Sequence, residues 1–101
     1  GPRPWQLTLP MRILLVIPED PTGQIDAVAE EERITAALAP LHPAGVAWET
    51  LSGRFDALAL RRRLERGQFD VLHLISHGTP EGVLLWEDDE PVIAPAAALS
   101  I

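Results

Sequence analysis

Two histidines and a glycine stand close together in FDVLHLISHG, residues 69–78. Side chains two or four residues apart share one face of a strand, so His73 and His77 point the same way while the strand lasts. His73 lies in mid-strand between two leucines, which predicts a buried and hydrogen-bonded ring. His77 falls at the carboxyl end, where open α/β sheets bind ligands. An exposed imidazole in that place can act as a general base.

Gly78 adds a second chemical element directly after His77. A residue without a side chain lets a substrate approach the backbone and offers its N–H as a donor, which is half of an oxyanion hole. The same pair also occurs without any catalytic role, so residue types alone leave a structural histidine open. No third ligand has suitable spacing, and His42 is predicted in a loop beyond a helix. We therefore expect neither a metal site nor a cofactor.

The segments that must position these residues alternate between strand and helix. A continuous apolar run at 11–18 predicts a central strand covered on both faces. Apolar residues at helical spacing follow Asp26, a candidate N-cap, and a second helical pattern covers 55–67 up to Gly67. Strands are predicted at 46–51 and 69–76. The order β-α-β-α-β favours parallel pairing with right-handed crossovers, hence an α/β fold.

The ends of the chain carry weaker patterns. Beyond a loop at 79–82, two short apolar runs flank the acidic residues 87–90, which predicts a β-hairpin with a solvated tip. Pro95 stands where a further helix would start. Residues 1–10 are predicted to be an extension or an alternating strand, with Gly1-Pro2 typical of a tag remnant, and 11–101 to be the start of one domain.

Composition narrows the function classes. The 101 residues are 47% hydrophobic and carry 15 acidic against 8 basic side chains, a formal charge of -7. Such a chain repels phosphate backbones, so we expect no nucleic-acid partner. The one basic cluster, Arg61 to Arg66, is predicted to be a solvated helix face rather than an anion-docking site. No apolar run is long enough to span a bilayer, and there is no cysteine.

The strand FDVLHLISHG followed by the hairpin EGVLLWEDDE resembles the first part of a CHAT domain, a caspase-like cysteine peptidase domain related to caspases, separases and gingipains. MRILLVIPEDP, AEEERITAAL and LSGRFDALALRRRLERG follow the order of elements in that family. The resemblance covers about residues 10–101 and is strongest over 69–87. The pattern His-x3-His-Gly inside an apolar strand, before a Gly-x-Leu-Leu hairpin, carries most of it.

This resemblance implies a caspase-like three-layer fold with a mostly parallel sheet of order 2-1-3, whose fourth strand would lie outside this sequence. It places the catalytic histidine on His77 and the oxyanion glycine on Gly78. The nucleophilic cysteine would follow the missing strand, so we expect the 101 residues alone to be inactive. The group that orients His77 is predicted to be backbone in the loop 19–22.

The resemblance also implies partners. They are the remaining half of the domain, other domains of a bacterial, cytoplasmic parent protein, and a protein substrate. Strand 69–76 would become an apolar edge, so we expect it to pair with a companion segment or a second copy. A non-catalytic caspase-like scaffold is the alternative function. A flavodoxin-like ligand-binding domain is disfavoured, because the loop IPEDPTGQ has one glycine and no phosphate cradle.

Overall fold

The computed structural model describes residues 9–99, which form a mixed α/β structure with two small sheets. The first sheet is parallel, in the order β2-β1-β3, and the second is antiparallel, in the order β4-β5-β6. The parallel strands are β1 (Met11–Pro18), β2 (Val46–Gly53) and β3 (Val71–Leu74). The antiparallel strands are β4 (Gly78–Thr79), β5 (Gly82–Glu87) and β6 (Glu90–Ala94). The crossover helices are α1 (Ala27–Leu38) and α2 (Ala57–Gly67), and 3-10 turns cover Ala39–Ala44 and Ala96–Leu99.

The centre of the fold is β1, which is buried from Ile13 to Pro18. Alternate side chains of a strand point to opposite faces, and both faces are covered here. Leu14 and Val16 pack with α2 and the β5–β6 hairpin, in a core completed by Phe55, Leu60, Leu85 and Ala94. Ile13 and Leu15 pack with Val46 and α1 on the other face. The result is three layers, as the apolar run and the alternation of elements predicted.

Both helices begin at an aspartate. The side chain of Asp26 accepts a hydrogen bond from the Ala29 N–H at 3.1 Å, which confirms the predicted cap, and Asp56 accepts from the Ala59 N–H at 2.9 Å. Such a cap is worth about 1 kcal/mol. The α-helix α1 ends before Pro40, because proline cannot donate the next backbone hydrogen bond and clashes with the preceding turn.

One predicted boundary is displaced by tertiary contacts. A strand was predicted over 46–51, but β2 runs through Gly53 because its whole length pairs with β1. Helix α2 ends at Gly67, as predicted, and Gln68 after it takes the left-handed conformation, with φ 51°. A Cβ at Gly67 would overlap the ring of Phe69, so the glycine also serves packing.

The segment after His77 is more regular than predicted. Residues 79–82 are not an open loop, since Pro80-Glu81 joins β4 to β5 as a two-residue hairpin connection. The acidic tip of the next hairpin is a turn, as expected. Asp88 and Asp89 are both left-handed there, the conformation that two-residue hairpins favour. The expected final helix is a single 3-10 turn, and the predictions for residues 1–8 lie outside the described residues.

Strand β3 lies at an edge of the parallel sheet and pairs only with β1 in the described part of the chain. Leu72 is 40% exposed there. His73 is exposed too, so the prediction of a buried ring was wrong. The strand pattern assumed cover on both sides, and no described element covers this part of β3. Within residues 9–99, no helix combines the length and the apolar character that crossing a bilayer requires.

Two leucines of α2 provide a matched test of this packing. Leu60 is fully enclosed, at 0% exposure, while Leu58 is 48% exposed on the same helix. Leu60→Ala should lower the free energy of unfolding by about 2–5 kcal/mol, because it removes buried methyl groups and leaves a cavity. Leu58→Ala should change it by less than about 0.5 kcal/mol. Urea denaturation followed by circular dichroism measures both, and equal losses would contradict the described core.

Candidate functional site

The site is formed by two loops that the parallel sheet brings together. One follows β1 and carries Asp20, and the other follows β3 and carries His77. Because β1 and β3 are parallel neighbours, both loops leave the sheet at its carboxyl edge. Nε2 of His77 lies 3.2 Å from Oδ2 of Asp20. Two residues far apart in the sequence thus share one contact at the edge where α/β proteins bind ligands.

The loop after β1 is folded around the carboxylate of Asp20. Oδ1 accepts from the Thr22 N–H at 3.0 Å and from the Thr22 hydroxyl at 2.8 Å, and Oδ2 accepts from the Ile25 N–H at 2.8 Å. An aspartate that bonds backbone groups ahead of it is the usual way to close such a turn. The carboxylate is thereby held in one orientation, with Oδ2 towards His77.

These contacts decide the charge of Asp20. Its side chain is only 2% exposed, and burial acts to raise the pKa. The hydrogen bonds from Thr22 and Ile25, together with the positive charge on protonated His77, outweigh burial and lower the pKa of Asp20 to about 2. Asp20 is therefore a carboxylate at neutral pH, facing the imidazole.

The two ring nitrogens of His77 have different surroundings. Nε2 is enclosed, and although Oδ2 of Asp20 is near, the contact lacks the alignment of a hydrogen bond. It is a close contact between the imidazole and the carboxylate. The side chain is nevertheless 42% exposed, so the accessible part of the ring lies away from Nε2. One nitrogen faces the protein carboxylate, and another part of the ring is open to solvent.

Backbone hydrogen bonds fix the chain around His77. The Ile75 N–H donates to the Val16 carbonyl at 2.9 Å, so contact with β1 continues past the end of β3. The His77 carbonyl accepts from the Leu84 N–H at 3.0 Å, and the Ser76 hydroxyl lies within hydrogen-bond distance of the carbonyls of His77 and Leu84. His77 is thus held between the parallel sheet on one side and β5 on the other.

Gly78 begins β4 and pairs with Val83 of β5. A Cβ at this position would lie 3.0 Å from the carbonyl oxygen of Gly82, closer than side chains normally approach. A side chain here would therefore require the carbonyl of Gly82 to shift by a few tenths of an ångström, whatever chemistry takes place. Gly78 adjoins His77, as expected, and its role as an oxyanion donor stays a prediction.

The loop after β1, which carries Asp20, also bears on the alternative of a flavodoxin-like domain that binds phosphate. Phosphate sites in α/β folds present free backbone N–H groups after a strand. Here the carboxylate of Asp20 takes the N–H groups of Thr22 and Ile25. A phosphate would have to displace a buried negative charge to reach them. The geometry therefore weighs against a flavodoxin-like ligand site at this loop.

Sequence reasoning expected a group of the loop 19–22 next to His77, and the group found there is not the expected one. The predicted partner was backbone within residues 19–22, whereas the structure presents the side chain of Asp20. The sequence Asp-Pro-Thr directly after a buried strand is a signal for a carboxylate-closed turn. It could have singled out Asp20, although the adjacent Glu19 is an equally good acid by type alone.

Other candidate groups lie elsewhere. His42 packs edge-on against Trp48 at 6.0 Å, and its Nδ1 is 3.0 Å from the Val46 carbonyl. The acidic residues 30–32 of α1 and the acidic tip of the β5–β6 hairpin form no shared cluster of ligands. Within residues 9–99, no group of three His, Cys, Asp or Glu side chains could hold a metal ion. Of the predicted site residues, His77 and Gly78 lie at the carboxyl edge of the parallel sheet, after β3, whereas His73 lies exposed on β3 itself.

A cavity of about 350 Å³ lies at the carboxyl ends of β1 and β2. Asp20 lines it together with Val28 of α1 and Gly53 of β2, whereas His77 is not among its lining residues. That His77 faces a ligand-binding crevice stays a prediction. No protein-family model matches the sequence, and no curated protein matches it either.

Replacing Asp20 tests its ionised state. The pKa of Asp20 is about 2, against an ordinary value of 3.8, so the unfolded chain binds more protons between these values. The ionised carboxylate therefore stabilises the fold fully above about pH 4 and loses this effect as the pH falls through about 2. The stability difference between wild type and Asp20→Asn should shrink over that window, measured by urea denaturation at a series of pH values.

Glu32→Gln is the control for this titration, because Glu32 is an exposed acid of α1. It should leave the acid limb of the wild-type stability curve unchanged. A wild-type curve that runs parallel to that of Asp20→Asn from pH 5 to pH 2 would show that the charge of Asp20 has no part in the fold.

Proposed function

We propose that this chain is the histidine-bearing part of a caspase-like cysteine peptidase of the CHAT type. The observation that carries the proposal is the contact of 3.2 Å between Nε2 of His77 and buried Asp20 at the carboxyl edge of the sheet. It is supported by the strand order β2-β1-β3 and by the hairpin that follows the His-Gly pair. The resemblance of FDVLHLISHG to the family motif adds the reaction class.

The chemistry assigned to each group follows from its surroundings. A carboxylate facing Nε2 favours a proton on that nitrogen and leaves the lone pair on Nδ1. Nδ1 would accept the thiol proton as the sulfur attacks the scissile carbonyl, and would return it to the leaving amine. The Gly78 N–H would donate to the oxyanion that forms.

The nucleophile has to come from other polypeptide, since the 101 residues contain no cysteine. A thiol within hydrogen-bond reach of Nδ1 would complete the pair that acyl transfer needs. The open edge of β3 offers a place for a companion strand to pair. The proposed setting is a larger bacterial, cytoplasmic protein that cleaves a protein substrate.

A non-catalytic interaction module is the second candidate. The observation that favours it is the outer edge of β3, which pairs with no strand within residues 9–99 and where Leu72 is exposed. Unpaired edge strands recruit other strands without any chemistry. The open reading frame around this chain distinguishes the two functions, because only the peptidase requires a cysteine that can reach His77.

The two histidines of the motif provide a matched pair for activity. In the polypeptide that joins this chain to its thiol-bearing segment, His77→Ala should lower kcat by about 10²- to 10⁴-fold, because proton transfer is lost. His73→Ala should leave kcat within about twofold, since that ring lies on the open edge of β3. Mass spectrometry of cleaved peptide libraries gives both values.

The 101 residues alone should cleave none of these peptides. Cleavage by the isolated chain that depends on His77 would contradict the assignment of a thiol mechanism. If both the His77→Ala and the His73→Ala variants of the longer polypeptide kept the wild-type kcat, His77 would be excluded from the reaction.

The edge of β3 should promote self-association of the isolated chain. Leu72→Lys should lower the apparent association constant by about tenfold or more, because a charge on an edge strand opposes pairing with another strand. Leu58→Lys is the control, since Leu58 is equally exposed but lies on α2. Light scattering over a concentration series measures both, and equal effects would place the contact elsewhere.

A further inference from the structure

Strand β5 contacts both sides of the candidate site. The Leu84 N–H donates to the carbonyl of His77 at 3.0 Å. Two residues further along, Nε1 of Trp86 donates to the carbonyl of Glu19 at 2.9 Å, directly before Asp20. Alternate residues of a strand are about 7 Å apart, so β5 spans the distance between the two loops.

β5 is itself fixed in place. The Trp86 N–H donates to the carbonyl of Phe55 at 3.0 Å, and Trp86 is buried. Between the two contact residues, Leu85 is fully enclosed in the core beside Leu14. Because neighbouring residues point to opposite faces, β5 cannot slip by one residue without expelling Leu85 from that core. Its contacts to the two loops are therefore made at one register.

Glu19 is held to the same frame from several sides. Its N–H donates to the carbonyl of Gly53 at 2.8 Å. Its carboxylate pairs with Arg54, whose guanidinium lies 4.2 Å from the ring centroid of Trp86. Arg54 also lies 3.6 Å from Asp89 at the hairpin tip. The indole thus bonds the backbone of Glu19 and also supports the cation that pairs with its side chain.

The loop that carries Asp20 needs such an anchor. Its hydrogen bonds from Thr22 and Ile25 are internal, so they give the turn its shape but not its position relative to β3. The contact between Asp20 and His77 is not an aligned hydrogen bond and supplies little directional restraint. The position of the turn must therefore be set through residues that join it to the rest of the fold, and Glu19 is its first residue.

We propose that Trp86 is a positioning residue: its indole N–H, bound to the Glu19 carbonyl, sets where the loop presents Asp20 and so sets the separation of Asp20 from His77. The inference rests on the proposed function for its importance, because shifts of about 1 Å in a catalytic group are costly. The separation itself can be measured in this chain without any activity.

Trp86→Phe removes the indole N–H and keeps an aromatic ring in the core. Long-range ¹H–¹⁵N spectra of the imidazole report the surroundings of His77, and Asp20→Asn defines the signal position when the carboxylate charge is gone. Trp86→Phe should move the His77 signals by at least half of the displacement that Asp20→Asn produces. Trp48→Phe is the matched control, since Trp48 packs on the α1 side of the sheet, and it should leave the signals in place.

Two results would overturn the inference. One is a folded Trp86→Phe variant whose His77 signals stay at the wild-type position. The other is an Asp20→Asn variant that leaves them unmoved, since no contact would then exist to be positioned. Should Trp86→Phe not fold, site-specific replacement of Trp86 by benzothienylalanine applies the same test, because it keeps the bicyclic ring and exchanges the indole N–H for sulfur. It should move the His77 signals in the same direction, and their failure to move would also overturn the inference.

Different experimental results would disprove the positioning role of Trp86 and the peptidase function. If Trp86→Phe moves the His77 signals but the longer polypeptide cleaves no peptide, Trp86 positions Asp20 in a protein that is not a peptidase. If cleavage depends on His77 but Trp86→Phe moves neither the His77 signals nor kcat, the peptidase function stands and the positioning role is wrong.

Discussion

Parallel pairing on both sides of β1 is the constraint on which the other features depend. Since β2 and β3 run in the direction of β1, the loops after all three strands emerge at one edge. Burial of β1 from Ile13 to Pro18 secures that arrangement, because moving the strand would expose a fully apolar segment on both faces. The meeting of Asp20 with His77 follows from this geometry.

Asp20 both closes the turn after β1 and keeps a negative charge in a buried position beside His77. A buried carboxylate is costly unless hydrogen bonds compensate for the lost water, and here the turn that needs closing supplies them. The same bonds keep the group charged, so it can act on the imidazole at neutral pH. One residue thereby shapes the loop and determines the electrostatic environment of His77. An amide in its place would still accept hydrogen bonds but would have no charge to offer.

Much of the fold was predictable because local signals and burial agreed. The apolar run predicted β1 with its observed bounds, and Asp26 marked the start of α1. Where a residue's surroundings depend on distant packing, the sequence was less informative. It predicted the end of α2 at Gly67 but not the close approach of the Phe69 ring. It wrongly predicted burial of His73, whose strand lies at an edge of the described sheet. Trp86 could not be found from sequence, since no local pattern tells which carbonyl an indole N–H will meet.

The long-range pairing of β1 has a consequence for how the molecule assembles. Pairing β1 with β2 closes a loop that contains α1, and pairing β1 with β3 closes a longer loop that contains α1, β2 and α2. The second pairing therefore costs more conformational entropy before its contacts form. A partly folded intermediate made of β1, α1 and β2 would contain a finished Asp20 turn with no imidazole near it. The contact between Asp20 and His77 would therefore form only after β3 has paired with β1.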